Sequence, residues 1–210
     1  MAAATSFLGI LGGTFDPPHI GHLILAEVAC DALNLDQILF VLAGDPPHRR
    51  AVATAEHRLA MLTLAITGNP RFALSDVDLK RPGPHYTSDM LRILREQFPD
   101  TDLTFLLGAD SLAHVHSWHD PNGIIAQARL AAIGRPGTPI DLKALDRELP
   151  GMAQRVKWVE APEIGISATL LRERLAKGHS IRYLVPESVE RYIVEHGLYR
   201  SGSNGHENKK

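Results

Sequence analysis

His19 and His22 stand three residues apart in the stretch GGTFDPPHIGHL, behind Gly12-Gly13 and Pro17-Pro18. On a helix that spacing puts both imidazoles on one face. At a helix start they meet free N–H groups and partial positive charge, an arrangement suited to a polyphosphate. Imidazoles there can donate hydrogen bonds to phosphate oxygens, more strongly when protonated. The plainer alternative is a pair of capping or packing histidines. Zinc fits less well, because the metalloprotease pattern is i,i+4 with Glu beside the first His. The two glycines admit close backbone approach to a ligand. Their spacing matches neither the G-x-G-x-x-G dinucleotide fingerprint nor G-x-x-x-x-G-K-[ST].

A second constellation is Ser167-Ala168-Thr169-Leu170-Leu171-Arg172. Ser or Thr at such a place serves as a plain N-cap. Leu170 at the third position after Ser167 rules out a capping box. Thr169 and Arg172 share a helix face, so a hydroxyl and a guanidinium come together at a second anion-binding helix start. His114, His116 and His119 crowd one short stretch, but no Cys or suitably spaced carboxylate accompanies them as a metal set would need.

These groups need a frame. Apolar runs at Phe7–Leu11, Ile38–Ala43, Phe72–Val77, Leu103–Leu107, Leu130–Ile133 and Val156–Val159 read as strands, most too apolar to be half-exposed. Helical patterns lie at Ile20–Leu33, Glu56–Thr67, Ser88–Gln97, Pro121–Gln127 and Leu142–Glu148, with a C-terminal helical pair at Thr169–Lys177 and Pro186–Glu195. The repeated βαβ order predicts an α/β, Rossmann-like open parallel sheet with helices on both faces. Ligands of such sheets bind beyond the carboxyl ends of the strands, where strand order reverses. The segments delivered there combine Gly or Pro with His or Arg: GGTFDPPHIGH, GDPPHRR, GADSLAHVHSWHD and GRPG. One domain is expected over residues 1–200, with Ser201–Lys210 as a disordered, wholly polar tail.

Composition narrows the class. Among 210 residues 44% are apolar and 22% charged, ordinary for a soluble globular protein. A formal net charge of -2 offers no basic field for nucleic acid. The most apolar helical segment is broken by Glu27 and Asp31, so no membrane span is expected. Cys30 is the single cysteine, which excludes an internal disulfide and points to a reducing cytoplasm. Met1–Ser6 lack the features of a signal peptide. A homo-oligomer remains open.

His19-Ile20-Gly21-His22 spells HIGH, and with the Ser-x-Thr-x-x-Arg helix it resembles the HxGH nucleotidyltransferase superfamily. In order along the chain, GGTFDPPHIGH, PPHR (Pro46–Arg49), YTSD (Tyr86–Asp89), LGADS (Leu107–Ser111), Trp118, RPG (Arg135–Gly137) and ISATLLR look like bacterial nicotinate-nucleotide adenylyltransferases. The resemblance implies a nucleotidyltransferase-type sheet and transfer of AMP from ATP to nicotinate mononucleotide. Products are deamido-NAD and pyrophosphate, with Mg²⁺ arriving on ATP. It implies His19, His22 and Arg172 as catalytic. ATP would meet these three, Gly12, Gly13, Thr14 and Phe15 of the first loop, Gly108 and Asp110 near its ribose, and Ser167 and Thr169. The mononucleotide would meet His48, Arg49, Thr87, Trp118, His119 and Arg135, with Asp16 shaping the loop on that side. His48 and Arg49 could equally be a solvated turn, Arg135 the end of a strand, and Trp118 a buried core residue. Two departures stand out: Met90 follows Asp89 where the family usually has Thr, and His119 stands where it often has an aromatic. Rival readings are an adenylyltransferase for nicotinamide mononucleotide or phosphopantetheine, and a nucleotide-binding sensor without turnover.

Overall fold

The computed structural model describes residues 6–44, 51–134 and 141–200; the expected tail Ser201–Lys210 lies outside them. The apolar runs form β1 (Ser6–Gly13), β2 (Gln37–Leu42), β3 (Phe72–Ser75), β4 (Thr101–Gly108), β5 (Arg129–Gly134) and β6 (Val156–Glu160). The helices are α1 (Ile20–Leu33), α2 (Ala55–Ile66), α3 (Thr87–Gln97), α4 (Ala109–Ala113), α5 (Pro121–Gln127), α6 (Leu142–Glu148), α7 (Ala168–Ala176) and α8 (Glu187–Glu195). Helix α4 and the 3₁₀ turn Val115–Ser117 were not expected from sequence. They are too short and too rich in His and Ser to show a helical repeat, and form because Leu112 and Val115 are drawn fully into the core.

All six strands pair in parallel in the order β3-β2-β1-β4-β5-β6. The chain therefore reverses direction across the sheet between β1 and β4, and a crevice opens beyond their carboxyl ends. Successive residues of β1 feed opposite faces. Ile10 joins Leu39, Phe105 and Leu107 beneath α3 and α5, packing with Leu91, Leu94 and Ile124. Leu11 joins Ile38, Phe40 and Leu106 beneath α1 and α2, packing with Ala29, Cys30 and Leu62. A sheet covered on both faces explains why its strands are continuously apolar. A third cluster unites Met61 and Ala65 of α2 with Leu171 of α7 and Val189 and Ile193 of α8. That cluster docks the C-terminal helical pair beside α2 and brings the start of α7 to the crevice. Among the described residues no helix is long and apolar enough to cross a membrane.

Candidate active site

Beyond β1 the chain makes a cramped turn. A Cβ on Gly13 would lie 2.8 Å from the Phe15 ring, so glycine is what lets that ring fold back over the strand end. Phe15 is buried, sits at φ 46, and meets His22 edge-on with ring centroids 5.0 Å apart. His19 is the N-cap of α1 in extended backbone, and His22 Nδ1 accepts the His19 backbone N–H at 3.1 Å. That bond fixes the neutral tautomer of His22, leaving its proton on Nε2. The rings of His19 and His22 stack at 3.6 Å. Burial, then the neighbouring His19, pushes His22 down to about 3. Burial alone pushes His19 down to about 4. Both rings are neutral at neutral pH, and the pair caps α1 while lining the crevice. His19 Nδ1 is buried with no hydrogen-bond partner among the described residues.

Across the crevice, Ser167 caps α7, its hydroxyl oxygen accepting the Leu170 N–H at 3.1 Å. Arg172 Nη2 donates to Thr169 Oγ1 at 3.2 Å and Nη1 to the Asp16 carbonyl at 2.7 Å. The guanidinium thus locks the HIGH loop to the start of α7 while Thr169 keeps a hydroxyl proton to offer.

Three cavities run along the crevice. The middle one, about 210 Å³, is walled by Thr14, Phe15, His19, His22, Ser167 and Arg172 among others. Thr14 is shared with a cavity of about 220 Å³ that includes Gly12, Gly13, Thr87, Met90, Trp118 and His119. His19, His22 and Ile166 are shared with one of about 330 Å³ between α1, the end of β5 and residues 161–166.

The expected residues distribute unevenly. Thr14, Phe15, His19, His22, Ser167, Thr169 and Arg172 cluster around the middle of the crevice; Gly12, Gly13, Thr87, Trp118 and His119 gather at one end. Trp118 packs edge-on against Phe105, and His119 stacks on Tyr86 at 4.0 Å. Met90, which departs from the family pattern, is buried against that same cavity. Gly108 and Asp110 lie exposed at the end of β4 and start of α4, lining none of these cavities. His48, Arg49 and Arg135 fall outside the described residues. Asp16, expected to shape the loop on the mononucleotide side, also walls the middle cavity, and its buried carboxylate is engaged by the protein. Oδ2 accepts the Val52 N–H at 2.6 Å, and Oδ1 accepts the Ala53 N–H at 3.2 Å and the Tyr199 hydroxyl at 2.6 Å. Burial, then this bond, raises Tyr199, so the phenol stays a donor. Among the described residues no three His, Cys, Asp or Glu side chains converge as a metal site.

The Cytidylyltransferase-like family model matches residues 10–174. A protein of Thermomicrobium roseum named "Probable nicotinate-nucleotide adenylyltransferase" is 50% identical over 198 residues, covering 93% of this chain and 92% of that protein. One of the same name from Thermus thermophilus is 46% identical over 193 residues, covering 92% and 99%. The chain belongs to the nicotinate-nucleotide adenylyltransferase family. It is a nucleotidyltransferase of NAD biosynthesis. The fold of this adenylyltransferase is shared with Plasmodium falciparum nicotinic acid mononucleotide adenylyltransferase complexed with NaAD, at TM-score 0.75 and 21% identity over 92% of this chain and 97% of that one.

Several residues that support these loops belong to none of the motifs. Arg58 of α2 is 2% exposed and donates only to backbone carbonyls. Its signal was present: it shares a helix face with Met61, Leu62 and Ala65, where an arginine is out of place. Arg81 holds buried Asp78 through Nε at 2.9 Å and donates to the Tyr86 carbonyl at 3.1 Å, fixing the entry to α3 beside Thr87. Burial raises the Asp78 carboxyl, with Arg81 opposing it. Tyr199 reaches Asp16 across 183 residues of chain, and nothing local marks it.

Proposed function

We propose that ATP and nicotinate mononucleotide occupy the three cavities in line, joining across Thr14 to give deamido-NAD and pyrophosphate. The observation that carries this reading is the middle cavity, where two helix starts, a neutral histidine pair and Arg172 face one another. Its neighbours suit the two ends of such a pair. The larger cavity, lined by Ile24, Leu25, Ile133, Ile164 and Ile166, accepts a flat apolar base. The cavity beside Trp118 and Thr87 accepts the pyridine ring, Trp118 supplying an aromatic surface.

The chemistry follows from the donors. A phosphate oxygen of the mononucleotide attacks the α-phosphorus of ATP, the bond to the bridging oxygen breaks, and pyrophosphate leaves with the electron pair. The nucleophile is already an anion, so no Ser, Cys or base is required. The protein's work is alignment and stabilisation of charge that grows on the departing oxygens. His22 Nε2–H, His19 and Arg172 are placed to donate there. Entry of a polyanion reverses the balance that keeps the histidines neutral, because a nearby negative charge favours imidazolium.

A divalent cation fits this site as a companion of the nucleotide. Asp16 is engaged by Val52, Ala53 and Tyr199, and no acidic cluster stands among the described residues, so Mg²⁺ would ride on phosphate oxygens and water. Bound so, it neutralises phosphate charge.

With ATP, Mg²⁺ and nicotinate mononucleotide the enzyme should release pyrophosphate and form the dinucleotide. His22→Ala should lower kcat by roughly 10²–10³, the scale for losing one donor to developing charge, with ATP affinity changing less. An unaltered kcat would remove His22 from the chemistry.

A further inference from the structure

Arg58 is a buried cation with no carboxylate within ion-pair distance among the described residues. Its acceptors are four carbonyls. Nη1 donates to Ala43 at 2.7 Å and to Thr14 at 3.0 Å, Nη2 to Gly44 at 2.9 Å, and Nε to Ala53 at 3.3 Å. Three of these lie just beyond the ends of β1 and β2, at the rim of the crevice. Concentrating one scarce, costly charge on main-chain oxygens makes sense where the path of those loops matters.

The geometry of a peptide gives that path a consequence. In a planar trans peptide the C=O and the following N–H point in opposite directions. Arg58 draws the Thr14 carbonyl inward, so the N–H of Phe15 is turned the other way. Among the described residues no acceptor takes that N–H. Thr14 and Phe15 both wall the middle cavity. Phe15 itself sits at φ 46, a conformation that a bulky residue keeps only when its surroundings over-determine it.

We propose that Arg58 is a positioning residue of this enzyme: it holds the Thr14–Phe15 peptide so that the Phe15 N–H donates to a substrate phosphate. Resting on the reading of the middle cavity as the phosphate site, this assigns the task to a side chain that touches no substrate. Its charge also lies under the joint between the two substrates, where low dielectric lets it favour anions.

Pyrophosphate alone, titrated into ¹⁵N-labelled enzyme, tests the assignment without any substitution. The Phe15 amide and the His22 Nε2 resonances should both move and saturate together. Movement of His22 without Phe15 overturns the role of Arg58 and leaves the phosphate site standing. Movement of neither overturns both. Arg58→Lys provides the second arm, since it keeps the charge but cannot fork between the carbonyls. The folded variant should bind ATP about tenfold more weakly, with adenosine affinity unchanged because adenosine carries no phosphate. Equal losses for both ligands, or none for either, would make Arg58 a general scaffold residue. Should the variant fail to fold, the pyrophosphate titration on the unmodified enzyme decides alone.

Discussion

At the residue scale the site is governed by one buried and one half-buried imidazole, His19 and His22, that the free protein keeps uncharged. The unfolded chain protonates them near 6.5, whereas the folded one resists until about 4 for His19 and about 3 for His22. Between pH 6.5 and 4 the unfolded state therefore binds more protons, and these two groups remove stability as pH falls. Each should contribute a slope of about 1.4 kcal/mol per pH unit in that window. Urea unfolding at pH 7.5, 6 and 5 measures it: His19→Asn/His22→Asn should show a shallower fall than the native chain. Identical slopes would mean that the rings are not held neutral. Saturating pyrophosphate should flatten the native slope too, because it favours the charged rings that the free fold rejects.

The elements were legible in the sequence to different degrees, for reasons that lie in their packing. Helix α1 spans Ile20–Leu33 as its apolar pattern implied, and β1 runs on through Gly12 and Gly13 because parallel pairing with β2 continues to Leu42. Helix α4 was invisible, being too short for a helical repeat and pinned by the single buried Leu112. The HIGH and Ser-Ala-Thr loops could be read because their chemistry is local: glycine, imidazole and hydroxyl close in sequence. Arg58 was legible only as an arginine on an apolar helix face, and Tyr199 not at all, because its partner is a carboxylate 183 residues away. The bonds of Asp16 were not legible for the same reason, its carboxylate accepting from Val52, Ala53 and Tyr199. Gly9 makes a test at this scale. A Cβ there would collide with Ile38 Cδ1 and come within 2.8 Å of Leu35 Cδ1, both behind the central strand and away from the crevice. Gly9→Ala should cost about 1–3 kcal/mol of stability through overpacking. Thermal unfolding should register the loss while kcat well below the transition stays near native. An unchanged transition temperature would show that the core behind β1 is looser than its contacts indicate.

Across the whole molecule, the two ends of the chain converge on one loop. Tyr199, beyond α8, holds Asp16; Arg172 of α7 holds the carbonyl of the same residue; Arg58 of α2 holds Thr14 two residues earlier. The C-terminal helical pair thereby becomes part of the frame that holds the HIGH loop at the crevice. At the far end of the crevice Trp118, Thr87 and the His119–Tyr86 stack surround the place assigned to the pyridine ring. Nicotinate presents a carboxylate that only accepts hydrogen bonds, while nicotinamide presents an N–H₂ that must find an acceptor. If the Thr87 hydroxyl and other donors lining that cavity face the ring substituent, with the Asp78 carboxylate held by Arg81, the amide N–H₂ is left mispaired, and mispairing of buried donors is costly. The most direct measurement is kcat/KM for the two mononucleotides side by side, at fixed ATP and Mg²⁺. Nicotinate mononucleotide should be preferred by at least about 10²-fold, equivalent to ~2.7 kcal/mol. Comparable efficiencies for the two would contradict the account.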